Sequence, residues 1–186
     1  MKKEIEIEFK SRLSQKEYEY LYDLYSKDSK IFEQSNYYFD TLNLLYRNKK
    51  LTIRIRKSDK IELTTKYKFA KNEAEENTII IDEDTCEDYL KNGFNMNMFD
   101  KSNNHVYHIC NNHTTRLEFI LNDCTFCLDK TVFNDNIIEY ELEMETKDIE
   151  YGERLFYDFL KEHNLKYIEI NGKVTRTFSH FFKIAK

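Results

Sequence analysis

Polar and apolar side chains alternate with period two through Glu4-Ile5-Glu6-Ile7-Glu8-Phe9-Lys10. A strand carrying this pattern presents Glu4, Glu6, Glu8 and Lys10 on one face and Ile5, Ile7 and Phe9 on the other. The same alternation recurs in Leu51–Arg56, where Arg54 and Arg56 share the polar face, and in Ile61–Lys68, where Glu62, Thr64, Lys66 and Lys68 do. Thr114–Leu121 places Arg116 and Glu118 together, and Ile138–Glu145 aligns Glu139, Glu141, Glu143 and Glu145. Further strands are predicted at 36–40, 77–82 and 125–129, with Asp59-Lys60 as a hairpin turn. Helical spacing replaces period two in three places. Tyr18, Leu21, Tyr22, Leu24 and Tyr25 predict a helix over 15–26, opened by a Ser14/Glu17 capping box. A second helix is predicted over 84–93, with Thr85 as cap and Gly93 as stop, and a third over 148–164 with Leu155, Phe156, Phe159 and Leu160 as its buried stripe. The Asn-rich run 94–112 reads as short helix and loop, and a closing segment carries Glu169, Lys173 and Arg176 before a basic, aromatic tail.

Length and composition fit this picture without adding chemistry. The 186 residues suit one domain spanning 1–186, and 34% charged with 40% hydrophobic residues is a globular balance. No apolar run reaches membrane-spanning length and no signal peptide precedes the first strand, so the expected location is cytoplasmic, with no membrane partner. A net charge of −5 argues against a nucleic-acid partner. Cys124 and Cys127 form a lone C-x-x-C near His108, Cys110 and His113. On a strand, residues three apart face opposite sides, so buried small hydrophobes are the preferred reading over zinc. Three isolated glycines and no proline exclude a Walker loop and a dinucleotide-binding glycine motif, so phosphate would have to be held by side chains.

The charged rows decide between two architectures. Acids concentrate on 4–10 and 138–145, bases on 51–56 and 66–68. An antiparallel sheet with a solvated face accounts for each strand separately. A barrel closed around its polar faces accounts for all of them, as the acidic and basic sides of one cavity with amphipathic helices covering the outside. Such an interior is costly when dry and sensible when wet and holding a divalent cation with a polyanion. Carboxylates suit Mg²⁺ or Mn²⁺, and the Arg54/Arg56 pair suits phosphate oxygens. The matching chemistry is metal-assisted phosphoryl transfer.

Several segments in order resemble one family. Glu6-Ile7-Glu8-Phe9-Lys10 resembles the E-x-E-x-K signature of the CYTH, or triphosphate tunnel metalloenzyme, superfamily, and Arg54-Ile55-Arg56 its R-x-R strand. Glu62–Lys66, Thr115-Arg116, Asp129, Tyr140–Glu145 and Asn171–Arg176 are similar to its later strands and its C-terminal lysine segment. The overall pattern is nearest to small bacterial members without an appended domain. The resemblance implies an α+β fold built on an eight-stranded antiparallel β-barrel, with helices packed outside and a triphosphate tunnel inside. It implies metal binding by Glu6, Glu8, Glu141 and Glu143, with Glu118 and Asp129 as helpers at a second ion or in orienting the basic residues. Lys10, Arg54, Arg56, Lys66, Arg116, Lys173 and Arg176 are implied in substrate binding, and Glu6, Glu8 and Lys10 in catalysis. The chain departs from the pattern in having Glu139 and Glu145 in phase with the metal pair, and in lacking a proline after Lys66. Glu4 is expected to be solvent-exposed at the mouth.

The expected activity is divalent-metal-dependent hydrolysis of inorganic triphosphate or a related small triphosphate, by a monomer or homodimer. The same scaffold hosts class IV-type adenylate cyclases and thiamine triphosphatases, and a polyphosphate-binding module is the non-enzymatic alternative.

Overall fold

In the computed structural model, which describes residues 1–184, the alternating segments close into a ring. The strands are β1 (Lys2–Leu13), β2 (Lys30–Asp40), β3 (Leu51–Lys57), β4 (Ile61–Lys68), β5 (Glu73–Ile80), the two-residue β6 (Phe94–Asn95), β7 (His105–Leu121), β8 (Cys124–Phe133) and β9 (Ile138–Thr146). The helices are α1 (Gln15–Tyr25), α2 (Leu45–Asn48), α3 (Glu83–Asn92), α4 (Asn97–Asp100), α5 (Ile149–Glu162) and α6 (Lys173–Ile184). The pairing order is β2-β3-β4-β5-β1-β9-β8-β7, and β7 returns to β2 from Lys30↔Glu118 to Asp40↔Tyr107. Every pairing is antiparallel, so the eight long strands form the closed barrel expected from the sequence. Among the described residues, no helix is long and apolar enough to cross a membrane.

Register fixes which rows face inward, because directly paired residues share a face. Glu8 lies opposite Glu145, Lys10 opposite Glu143 and Arg12 opposite Glu141. Arg116 pairs with Asp129, which pairs in turn with Glu141. The charged faces therefore line the interior, and the apolar faces need a cover. Phe9, Leu117, Phe126, Leu128, Leu142 and Met144 point outward under Tyr18 and Leu21 of α1 and Phe156, Phe159 and Leu160 of α5. Ile53, Ile55 and Leu63 are covered by Cys86 of α3 together with Phe94 and Met96. Burying each large side chain in these shells contributes roughly 1.5–3 kcal/mol, which helps offset the cost of a charged interior.

Local chemistry sets several boundaries. The Ser14/Glu17 capping box is present at the start of α1. The β7–β8 hairpin turns on Asn122 and Asp123, both with positive φ, as a two-residue turn matching strand twist requires. α3 is capped by Asp82, whose side chain accepts from the Thr85 N–H, so Thr85 is the capped residue and not the cap. Gly93 stops α3 at φ +75, where an added Cβ would lie 2.1 Å from the Val106 carbonyl oxygen.

Other boundaries differ from expectation. β2 begins at Lys30 and β5 spans Glu73–Ile80, earlier than the predicted 36 and 77. Within 94–112, β7 already starts at His105. The closing segment is the helix α6. Cys124 belongs to the outer apolar shell, whereas Cys127 pairs in register with Glu143 on the inward face. All four cysteines are buried and free.

Gly152 lets α5 approach the barrel. A Cβ there would lie 2.4 Å from Thr146 Cγ2 and 3.0 Å from Phe9 Cε2. Thr146 cannot easily rotate away, since its hydroxyl donates to the Asp148 carbonyl at 3.2 Å and accepts from the Asp148 N–H at 3.3 Å. Helix propensity alone would make Gly152→Ala stabilising by about 1 kcal/mol. The clash should prevail, and we expect a net loss of about 1–3 kcal/mol in denaturant melts. An unchanged or raised midpoint would show that α5 is not seated through this contact.

Candidate functional site

The inward rows surround a cavity of about 580 Å³. Glu6, Glu8 and Lys10 of β1, Arg54 and Arg56 of β3, Lys66 of β4, Arg116 of β7, Glu143 and Glu145 of β9, and Lys173 at the start of α6 all line it. Asp129 and Glu141 stand immediately behind, fully buried, in ion pairs with Arg116 and Lys173. Thus strands distant in sequence bring together most of the residues expected from their alternation.

The acidic side is a network and not a row of isolated charges. Arg116 donates to Asp129 through Nε and Nη2 at 2.8 and 2.7 Å and to Glu143 at 2.6 Å. Lys173 pairs with Asp129, lies 2.8 Å from Glu141 and 3.7 Å from Glu143. Burial alone would raise the Asp129 and Glu143 carboxyls, but these cations outweigh it and hold Asp129 below, and Glu143 well below, the usual carboxylate range. Lys10 pairs with Glu8 and lies 3.7 Å from Glu143. Lys66 pairs with Glu6 and reaches Glu76 at 3.1 Å and Glu8 at 3.6 Å. Burial, reinforced by Glu8 and Glu76 and opposed by Lys66, raises the Glu6 carboxyl to about 7. Burial also raises Glu145, which lies directly opposite Glu8 and has no cation within ion-pair distance among the described residues.

The basic side is different. Arg54 and Arg56 have no carboxylate within 4.0 Å among the described residues. Arg56 makes one hydrogen bond, from Nε to Asn36 Oδ1 at 3.3 Å, and Arg54 Nε is buried without a partner. Burial and then repulsion from Arg54 and Arg116 pull the Arg56 guanidinium down to about 10. Cations that crowd together without a counter-charge form a site prepared for a polyanion.

Asp129, Glu141 and Glu143 offer carboxylate oxygens within 4.8 Å of one another, all buried. This donor set is oxygen-only, as Mg²⁺ and Mn²⁺ prefer, and contains none of the cysteines or histidines. Glu8 Oε1 and Glu141 Oε1 are buried and accept no hydrogen bond, although Lys10 and Lys173 stand at ion-pair distance. The residues therefore fit a hard divalent cation.

Two expected site residues lie elsewhere. Arg176 donates Nε to the Asn171 carbonyl at 2.9 Å, Nη1 to Glu139 at 2.6 Å and Nη2 to Glu141. Its guanidinium is fully engaged in tying α6 to β9, behind the cavity wall. Glu118 faces inward, paired in register with Cys127, but stands apart from the Asp129–Glu141–Glu143 group and off the cavity wall. Sequence reasoning missed Glu76, on the inward face of β5 and paired with Lys66. Its signal was obscured because Glu73, Glu75 and Glu76 put acids on both faces of that strand.

Solved structures share this architecture. A presumed adenylate cyclase from Bacillus halodurans superposes with a TM-score of 0.84 at 24% identity, covering 96% of this chain and 100% of its own. A presumed adenylyl cyclase from Hippeastrum, HpAC1, reported to have a dominant triphosphatase activity, superposes at 0.78 with 22% identity over 94% of this chain and 95% of its own. At these identities the likeness carries the fold. No curated protein sequence matches the chain. The CYTH domain model matches residues 4–178, and with a closed barrel whose acidic and basic rows face one cavity, the chain belongs to the CYTH domain family.

Proposed function

We propose that the protein is a metal-dependent hydrolase of small triphosphates, inorganic triphosphate or a close relative. One observation carries this reading. Lys10, Lys66, Arg116 and Lys173 each have a carboxylate partner, whereas the half-buried Arg54–Arg56 pair has none and lines the same cavity as Glu6, Glu8, Glu143 and Glu145. A triphosphate supplies the missing anion. Glu143, with Asp129 and Glu141 behind it and Glu8 on the neighbouring strand, would hold Mg²⁺ or Mn²⁺. When bound, the ion supplies charge neutralisation at the phosphate oxygens.

The chain's own residues do the rest. Arg54 and Arg56 fix the phosphate chain through paired N–H donors, and Lys66 and Lys10 add point charges beside it. Water attacks the terminal phosphorus, a new P–O bond forms, and the bridging P–O bond breaks to release phosphate and pyrophosphate. The attacking water loses a proton, and Glu6, with its carboxyl near neutrality, is the residue assigned to take it. The dominant triphosphatase activity reported for HpAC1, despite its cyclase name, supports hydrolysis over cyclisation on this scaffold.

The test is a panel of inorganic triphosphate, ATP and thiamine triphosphate, scored in parallel for phosphate, pyrophosphate and cyclic AMP with Mg²⁺, with Mn²⁺ and with chelator. Phosphate release from inorganic triphosphate, abolished by chelator, is expected. Pyrophosphate and cyclic AMP appearing together from ATP would replace this reading with a cyclase. Binding of polyphosphate without any turnover would replace it with a binding module.

A further inference from the structure

A second chamber of about 330 Å³ opens off the main cavity, sharing Tyr38, Thr52, Lys68, Gly172 and Val174 with its wall. It lies where the basic face of β3 continues. Arg56, Arg54 and Thr52 alternate along that strand, and Lys50 precedes it. Lys68 extends the inward row of β4 past Lys66, and its backbone N–H donates to the Lys50 carbonyl at 3.3 Å, which holds the two lysines side by side. Arg47 completes the lining.

These three cations have no acidic partner among the described residues. The chamber's one carboxylate, Asp40, is already committed. Its Oδ1 accepts from the N–H groups of Thr41 and Tyr46 at 2.7 and 3.0 Å, and its Oδ2 from that of Arg47 at 2.8 Å. Arg47 Nη1 is buried with no hydrogen-bond partner. Lys50 and Lys68 are solvent-exposed, and partial desolvation, then repulsion from Lys10, holds Lys68 below the usual lysine range. The chamber thus repeats the imbalance of the main cavity: donors and positive charge with nothing to neutralise them.

Its aromatic surface does not favour an organic base. The Arg47 guanidinium lies over the Phe178 ring, 4.6 Å from its centroid, and Tyr38 is buried with its hydroxyl accepting from Asn112 Nδ2 at 3.4 Å. Neither ring leaves a free face for stacking. A further run of phosphates meets the charge without needing one.

We propose that this chamber binds the phosphoryl groups of a linear inorganic polyphosphate that lie beyond the three held in the main cavity. The inference rests on the triphosphate reading of that cavity and narrows its substrate class, favouring longer inorganic chains over nucleoside triphosphates.

The test uses the full chain with Mg²⁺. The inhibition constant of medium-chain polyphosphate is measured against hydrolysis of inorganic triphosphate, alongside the KM for triphosphate itself. Thermal shift by the same polyphosphate gives a readout independent of turnover. Wild type should bind polyphosphate about tenfold more tightly than triphosphate. Lys50→Glu and Arg47→Gln should each remove that advantage while leaving the triphosphate KM within about twofold. Lys16→Glu, an equal charge change outside the chamber, should leave both constants unmoved. Equal affinities in wild type, an equal loss in Lys16→Glu, or variants that weaken triphosphate as much as polyphosphate would overturn the proposal. Absence of any triphosphate turnover in wild type would instead overturn the underlying reading, and the chamber with it.

Discussion

Replacing Arg56 by alanine is expected to lower kcat/KM for inorganic triphosphate by about 10²–10³-fold and to leave the melting temperature at or above that of the wild type. The two halves of this result have one cause. Arg56 is half-buried beside Arg54 and Arg116, with a single hydrogen bond at 3.3 Å and no carboxylate in reach. In the ligand-free protein it contributes repulsion and desolvation, so its removal relieves the fold. In the proposed triphosphate complex its N–H fork would meet phosphate oxygens, so its removal would leave charge there unneutralised. Residues held in this way for a ligand commonly cost stability. The check is a pair of melts, with and without triphosphate, beside steady-state kinetics. Wild type should gain stability from the ligand, and the variant should gain much less. A lowered melting temperature with unchanged kcat/KM would make Arg56 a structural residue and remove the observation on which the functional proposal rests.

How legible the molecule was depended on how cleanly each strand separates its two faces. β1, β3, β4 and β9 carry charges on one side and Ile, Leu, Phe or Met on the other, and their inward residues could be named from spacing alone. β5 hides its phase because Glu73, Glu75 and Glu76 occupy both faces. The start of β7 is obscured by a register shift against β2 at Tyr38/Phe39, which breaks strict alternation. α6 is rich in Thr and aromatic residues, which are weak helix formers. Its helicity comes from burial of Thr177, Phe178 and His180 against the barrel, which no local pattern announces.

The same limit applies to the site. That Lys173 lines the cavity is expected from the segment order of the family pattern. That Arg176, three residues on, turns back to Glu139 and Glu141 depends on how α6 packs against β9, which sequence spacing does not encode. One residue of the helix faces the cavity, and its neighbour one turn later holds the helix in place. Charge type alone could not separate those tasks.

Asp129→Asn should behave in the opposite way to Arg56→Ala. Asp129 is fully buried and takes both arms of the Arg116 fork as well as Lys173. The substitution preserves shape and removes the charge, leaving two buried cations with less compensation. Breaking a buried ion pair by removing one partner costs about 3–5 kcal/mol. For a chain of this size the expected fall in melting temperature is roughly 6–20 °C. Triphosphate turnover should be lost as well, because the Asp129–Glu141–Glu143 donor set loses one carboxylate. The pH dependence separates charge from packing. Arg116 and Lys173 hold the folded-state pKa of Asp129 below its ordinary 3.8. Its stabilising contribution is therefore complete above 3.8 and is lost only as pH falls through the lower folded value. Wild type and variant should differ by a constant amount from neutrality down to that range and converge below it. A gap that persists unchanged in strong acid would assign the loss to packing and hydrogen-bond geometry, and the buried network would then owe its stability to shape more than to charge.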